Sequence, residues 1–326
     1  MRVLVTGSEG SLMQWVIPRL IDAGHEVRGV DNFSRYGEIE RQRRYDFVEG
    51  DLCDQGLVAS VMKDADVVIQ GAAQIYGVRG FHKYPADILS KDVELQNNLL
   101  NMAVQQGIER FVFISSSMVY ERSEEVPTEE AHVEDMRVPH TDYGLSKLMG
   151  ERLCQAYQHQ YGVPYTIWRP FNIITPYEEA EAEEGIAHVF ADFIRKVVLE
   201  RQNPMSILGD GEQVRCFTWI DDVAQAIADY SFSGETSNEA FNLGNPNPVT
   251  MKELALRIFA KAQEKGLIAT NEELAFTHQP IYEDDVRVRI PSVDKAKAQL
   301  DWAPTVDLDA ALDRCIDEVA DRALSA

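Results

Sequence analysis

Positive charge is scarce in this 326-residue chain: 31 lysines and arginines stand against 54 aspartates and glutamates, a formal net charge of −23. Such a surface repels phosphate backbones and anionic lipid, so neither nucleic acid nor a membrane is expected as a partner. Cysteine is sparse as well. Cys53, Cys154, Cys216 and Cys315 lie far apart and form no C-x-x-C pair, which argues against a disulfide framework or a zinc knuckle. The 7 histidines show no metal-ligand spacing, and no metal is expected. No apolar run is long enough to span a bilayer and no signal segment precedes the first strand, so a reducing cytoplasm is the expected compartment. Internal repeats and low-complexity tracts are missing too. Apolar residues are plentiful at 45% of the chain, enough for a large core and two lobes.

Short apolar runs alternate with helical stretches from residue 1 to about 172. Strands are expected at Val3 to Val5, Val27 to Val30, Asp66 to Ile69, Phe111 to Ile114 and Tyr165 to Trp168. Alternation of this kind implies an α/β fold with a parallel sheet covered on both faces, whose ligands bind at the carboxyl ends of the strands. The first strand runs straight into Gly7-Ser8-Glu9-Gly10, a glycine turn opening a helix to about Gly24. Glycines there let the backbone approach a pyrophosphate, which then rests on the positive end of the helix. Asp31 closes the next strand about twenty residues on, where a carboxylate suits a ribose 2′-hydroxyl and repels a 2′-phosphate. NAD is favoured over NADP.

Further along stands Thr141-Asp142-Tyr143-Gly144-Leu145-Ser146-Lys147. On a helix, Tyr143 and Lys147 are one turn apart, and of the ten lysines only Lys147 has a tyrosine four residues before it. An ammonium there lowers the phenol's pKa, and a serine from Ser115-Ser116-Ser117, at the end of a strand, can bond the substrate oxygen. Bringing a phenol from 10 to neutrality takes about 4 kcal/mol of differential stabilisation, which Lys147 and a nicotinamide cation would supply together.

These residues, with Gly50-Asp51-Leu52, Gly71-Ala72-Ala73, Arg169-Pro170-Phe171-Asn172, Gly209-Asp210-Gly211, Arg215 to Val223, Asn242-Leu243-Gly244 and Arg289-x-Pro291, resemble the extended short-chain dehydrogenase/reductase family of nucleotide-sugar epimerases and dehydratases. The resemblance runs almost end to end. It implies a doubly wound Rossmann sheet with a smaller C-terminal substrate lobe: residues 1–172 and about 216–245 in the NAD-binding domain, 173–215 and 246–326 in the sugar-nucleotide lobe. It implies that Ser116, Tyr143 and Lys147 are catalytic. Gly7, Gly10, Asp31, Asn32, Arg35, Asp51, Leu52, Ala72, Ala73, Tyr143 and Lys147 would hold NAD. A nucleotide-diphosphate sugar would meet Ser116, Ser117, Asn172, Arg215 and Arg289. Arg287 is a further candidate for the basic cluster. A homodimer is implied, formed by the helix after Tyr84 and the helix carrying Tyr143, with Leu95, Leu99, Met102, Leu148, Leu153 and Tyr157 as apolar stripes.

Departures from the family pattern sharpen the reading. Met13 stands where a third glycine is usual, Asp92 where an asparagine is usual, and Pro18 interrupts the first helix, where a kink is expected. Glu178 to Gly185, with five glutamates, reads as a solvated loop. Met118 occupies a stretch where dehydratases carry Asp-Glu, glucuronate decarboxylases Glu and 3,5-epimerases Cys, and a thioether is neither acid nor base. His82 or His188 could still reach in from a loop. The expected activity is an NAD-dependent sugar 4-epimerase. The stretches around Gln74 to Val78 and Tyr84 to Asp87 are also similar to the GDP-fucose synthase and GDP-mannose 3,5-epimerase branches, which keeps a 4-keto reductase open. A non-catalytic NAD(H)-binding regulator is the alternative of a different class.

Overall fold

A computed structural model of the protein describes residues 1–35, 37–38, 42–178, 186–282 and 285–325. The first half alternates β1 (Arg2–Thr6), α1 (Met13–Asp22), β2 (Glu26–Asp31), β3 (Asp46–Glu49), α2 (Gln55–Val61), β4 (Val67–Gln70), α3 (Val78–Lys83), α4 (Pro85–Gln106), β5 (Arg110–Ile114), α5 (Asp142–Tyr161) and β6 (Tyr165–Pro170). There follow β7 (Ile173–Ile174), α6 (Val189–Ile194), β8 (Met205–Leu208), β9 (Val214–Cys216), β10 (Thr218–Trp219), α7 (Ile220–Tyr230) and β11 (Glu239–Leu243). The chain ends with β12 (Pro248–Thr250), α8 (Met251–Glu264), β13 (Phe276–Gln279), α9 (Asp294–Leu300) and α10 (Leu308–Ser325).

Seven parallel strands form the main sheet in the order β11-β6-β5-β4-β1-β2-β3. The direction of winding reverses between β1 and β4, which opens a crevice at their carboxyl ends. Strand alternation sends Val3 and Val5 into one layer with Val16, Ile17 and Leu20 of α1 and Val223 and Ile227 of α7. Leu4 points the other way, onto Val58 of α2, Leu95 and Leu99 of α4 and Cys154 of α5. Helix α1 runs through Pro18 to Asp22, although the proline cannot bond the Gln14 carbonyl.

The smaller lobe buries Phe190 and Ile194 of α6, Met205 and Ile207 of β8, Leu254 and Ile258 of α8 and Leu312 and Ile316 of α10 in a core of its own. Within 246–326, Val293, Ala296, Leu300 and Trp302 instead pack into the core beneath β1 and β11. Of the acidic stretch, 179–185 lie outside the described residues, but Glu178 itself is buried rather than solvated. Its carboxylate accepts from the His188 backbone N–H at 2.8 Å and faces the His188 ring at 2.5 Å.

Helix α5 is fixed to the sheet by charge. Glu151 takes Nε and Nη2 of Arg169 on β6 at 2.9 and 2.7 Å, with both side chains 2% exposed. Arg169 Nη1 also donates to the Tyr120 hydroxyl and to the Glu130 carbonyl, Ser115 Oγ donates to Glu151, and the Tyr120 hydroxyl donates to Asn242 of β11. Removing one member of a buried pair strands the other charge. Glu151→Ala should therefore lower unfolding stability by about 3–5 kcal/mol in urea titrations, with Glu151→Gln less affected, whereas cutting the exposed Arg287–Asp210 pair should leave the midpoint in place.

Candidate active site

The crevice is a cavity of about 680 Å³ at the carboxyl ends of the strands. Its inner half is built by the glycine turn. Gly7 has φ +66°, and a Cβ there would lie 2.8 Å from the Ala72 nitrogen, so a side chain is excluded on both counts. No side chain caps α1 and its first turn holds no acid; Gln14 N and Trp15 N donate to the Gly10 and Leu12 carbonyls at 3.2 and 3.0 Å, so the N–H groups ahead of them are the ones that face an anion. Asp31 sits across the turn, its carboxylate held by the backbone N–H groups of Glu9 (2.9 Å) and Phe33 (2.8 Å). Gly7, Gly10, Asp31, Asn32, Arg35, Asp51, Leu52, Ala72 and Ala73 all line this half. Met13 is accommodated from the opposite side: it is 2% exposed, and a Cβ on Gly71 would meet its terminal methyl at 2.5 Å. The close approach of helix and sheet thus survives the loss of the third glycine.

Ser116, Tyr143 and Lys147 meet in the middle of the cavity. Gly144 makes this possible, since a Cβ there would lie 2.8 Å from the Met118 carbonyl, and its absence lets the first turn of α5 press on the turn after β5. Thr141 caps that turn through the Gly144 N–H at 3.1 Å, and Glu121 holds Thr141 N at 2.9 Å. Ser116 Oγ accepts from Met118 N at 3.1 Å and acts on the phenol in the direction that favours its ionised form. Lys147 Nζ donates to the Ile114 carbonyl at 3.1 Å and lies 5.7 Å from the Tyr143 ring centre. In the protein without cofactor, burial pushes the phenol up to about 12, with Ser116 opposing, and burial likewise pulls Lys147 down. The desolvation of a tyrosine beneath Phe81 (ring centres 4.7 Å, planes 6° apart) outweighs Ser116 and the Arg289 guanidinium. Phe81 on α3 carries no sequence signal beyond an apolar position.

Asn172, Arg215 and Arg289 line the outer half with Ser117 and Met118. Asn172 Nδ2 donates to the Cys216 carbonyl at 2.9 Å, and its Oδ1 accepts from Arg289 at 3.2 Å. Arg215 is bonded to Asp285 at 3.1 Å, a partner that sequence reasoning missed. Arg289 is 7% exposed; burial and the repulsion of Arg215 lower it to about 9. Two buried guanidiniums against one carboxylate leave the walls positive inside an acidic protein. Arg287 does not join them; it faces outward, bidentate on Asp210 at 2.9 Å. His82 and His188 line the cavity, His82 stacked on Tyr282 at 4.0 Å. Among the described residues no cluster of His, Cys, Asp and Glu could hold a metal, and no helix is long and apolar enough to cross a membrane.

A doubly wound sheet with a glycine turn and an acid after β2, converging on serine, tyrosine and lysine, defines a dinucleotide-dependent enzyme of the short-chain dehydrogenase/reductase type. More narrowly, the chain belongs to the NAD-dependent epimerase/dehydratase family, whose profile matches residues 3–244. It is 30% identical over 322 residues to a putative UDP-glucose 4-epimerase of Methanocaldococcus jannaschii, covering 96% of this chain and 97% of the relative. It is 28% identical to UDP-glucuronic acid decarboxylase 1 of Arabidopsis thaliana, covering 100% of this chain and 71% of that protein. The UDP-glucose 4-epimerase of Thermotoga maritima, solved with UDP-glucose, superposes with a TM-score of 0.84 at 28% identity, covering 99% and 100% of the two chains. The family acts on nucleotide sugars, and NAD is its cofactor.

The fixed carboxylate of Asp31 would face a 2′-phosphate with like charge. Calorimetry should find NAD bound at least tenfold more tightly than NADP; equal affinities would show that Asp31 does not read the ribose.

Proposed function

We propose that the protein is a nucleotide-sugar 4-epimerase working by transient oxidation at C4. Met118 carries this reading. Ser116, Tyr143 and Lys147 suffice to take hydrogen from a secondary alcohol and return it, while the neighbouring position, where chemistry at the adjacent carbon would need an acid or base, holds a thioether with the Arg289 guanidinium at 2.5 Å. The relative named as a decarboxylase belongs to a branch with glutamate in that stretch, so likeness to it does not transfer its reaction.

NAD, held by the glycine turn, Asp31 and the cavity's inner wall, supplies the acceptor for the C4 hydride and later its donor. Tyr143 takes the C4 hydroxyl proton and gives it back, and Ser116 hydrogen-bonds the C4 oxygen throughout. Lys147 favours the phenolate and is placed for the nicotinamide ribose. Because burial, with the charge of Asp92, holds the phenol up at about 12 in the protein alone, its activation near neutral pH depends on the charge that arrives with the cofactor. Arg215 and Arg289 grip the diphosphate, with Asn172 at their side. The names of the relatives point to a UDP-linked hexose. The 4-ketosugar must turn over within the cavity, so that the returning hydride meets its other face.

The assembly we infer is a homodimer through the outer faces of α4 and α5, where Met149 and Tyr161 are exposed. Leu95 and Leu99, expected in that interface, are instead core residues.

Tyr143→Phe should keep the fold and NAD affinity but lower turnover of UDP-glucose or UDP-galactose about 10²- to 10⁴-fold. In D₂O the parent enzyme should invert C4 without labelling C3 or C5, because the C4 hydrogen never meets solvent. Deuterium at C5 would reveal a base beyond Ser117 and Met118 and refute the 4-epimerase reading.

A further inference from the structure

Behind Lys147, on the side away from the main cavity, lies a second chamber of about 10 Å³, the room one water needs. Its walls are polar where a packing defect would be apolar. Gln70 of β4, Asp92 and Gln96 of α4 and Ser146 and Lys147 of α5 line it, with Ala72, Val93, Phe113, Gly150 and Leu153. The side-chain carbonyls of Gln70 and Gln96 are buried and have no hydrogen-bond partner among the described residues. Both amide nitrogens are engaged, that of Gln70 on the Ala72 carbonyl at 2.8 Å and that of Gln96 on Cys154 Sγ at 3.6 Å. Lys147 has three protons, and among the described residues the Ile114 carbonyl is its one hydrogen-bond acceptor. Two unpaired acceptors, a donor with protons to spare and a carboxylate around a water-sized space are the surroundings a buried water takes.

Asp92 is 8% exposed. Its Oδ1 accepts from Gln74 N at 3.0 Å, and its Oδ2 lies 3.1 Å from Ser146 Oγ, which is also 2.9 Å from the Tyr143 carbonyl. It is therefore built into the first turns of the helix that bears Tyr143 and Lys147. The groups facing it are Lys147, Tyr143 and Ser146 from α5, Gln74 from the loop after β4, and Gln70 and Gln96 around the chamber. Cys154 lies beyond Gln96, and Glu151 acts on Lys147 from the next turn. No arginine contacts it among the described residues, so Lys147 is its cation.

We propose that one water occupies this chamber and that Asp92, through it, is the counter-charge of Lys147, so that this carboxylate sets the pH range in which Tyr143 exchanges its proton. Asp92 is a positioning residue: it does not line the main cavity and acts through Lys147 and Tyr143. The inference rests on these two being the hydride-transfer pair, whichever sugar is turned over. Burial pushes the Asp92 carboxyl up, opposed by Lys147, and burial pulls Lys147 down, opposed by Asp92, so each group works against the other's neutralisation. The same negative charge raises the Tyr143 phenol. Removing it should move phenol and ammonium alike to lower pH.

Asp92→Asn tests this, since an amide can accept from Gln74 N and donate to Ser146 Oγ while Ser146 donates to the Tyr143 carbonyl. The readout is the tyrosinate absorbance of the NAD complex, isolated from the other tyrosines as the difference from the matching Tyr143→Phe protein. We expect the Tyr143 midpoint in Asp92→Asn to fall by roughly one pH unit, about tenfold more phenolate at a given pH, with NAD affinity unchanged. A midpoint that stays or rises overturns the proposal. If Asp92→Asn fails to fold, a high-resolution crystal structure of the parent protein decides: a water within hydrogen-bond reach of Lys147 and Asp92 supports the inference, and a dry chamber overturns it. A shifted midpoint in an enzyme that turns over no UDP-hexose would sink the epimerase reading and leave this one standing.

Discussion

The buried pair of Glu151 and Arg169 is the constraint on which the site depends. Tyr143, Lys147 and Glu151 recur every fourth residue on α5, so they share one face of the helix. The last of them is gripped by Arg169 of β6, which runs between β11 and β5, and the other two are thereby held over the ends of the neighbouring strands. Because Arg169 also reaches Tyr120 and the Glu130 carbonyl, the turn bearing Ser116 and Met118 is tied to the same point. The catalytic distances therefore do not rest on loops. Fully satisfied, such a network fixes a unique arrangement; half satisfied, it would cost more than an apolar core.

Local chemistry was legible in the sequence and long-range compensation was not. Gly7, Asp31, Ser116, Tyr143 and Lys147 could be read because each belongs to a short motif whose spacing already carries its physics. The same holds for β1, β2, β4, β5 and β6, read from their short apolar runs, whereas β3 (Asp-Phe-Val-Glu) and β11 (Glu-Ala-Phe-Asn-Leu) alternate with polar residues and were not anticipated. Burial was harder to foresee. Glu178 sits among glutamates that read as solvent-facing, and only the fold brings His188 over it. The protein's own effect on Tyr143 was hidden as well: before any cofactor charge acts, Phe81 and the surrounding core raise the phenol, since desolvation depends on everything packed around a group. Asp285 beside Arg215, and Arg289 against Met118, are contacts between distant stretches of chain that no spacing rule anticipates.

Charge is distributed against the grain of the composition. The chain carries an excess of acid, while Arg215, Arg289 and Lys147 are buried in or beside the cavity at the strand ends, where a low dielectric strengthens them. Desolvation lowers the pKa of each, a sign that the protein alone does not fully compensate them. An anionic ligand relieves that penalty on arrival, so the strain that weakens the free protein strengthens the complex. Acidic surroundings also turn away anions that cannot reach the guanidiniums.

The contact between Met13 and Gly71 bears on how such a chain can change over time. The small residue that permits close helix packing lies here on the sheet side of the contact, and the bulk lies on the helix side. Neither position is free to drift alone: a side chain at 71 collides with the methionine, and a glycine at 13 leaves a hole beneath the pyrophosphate turn. Two sites remote in sequence form a single heritable unit, and a substitution harmless in one relative would be damaging in another.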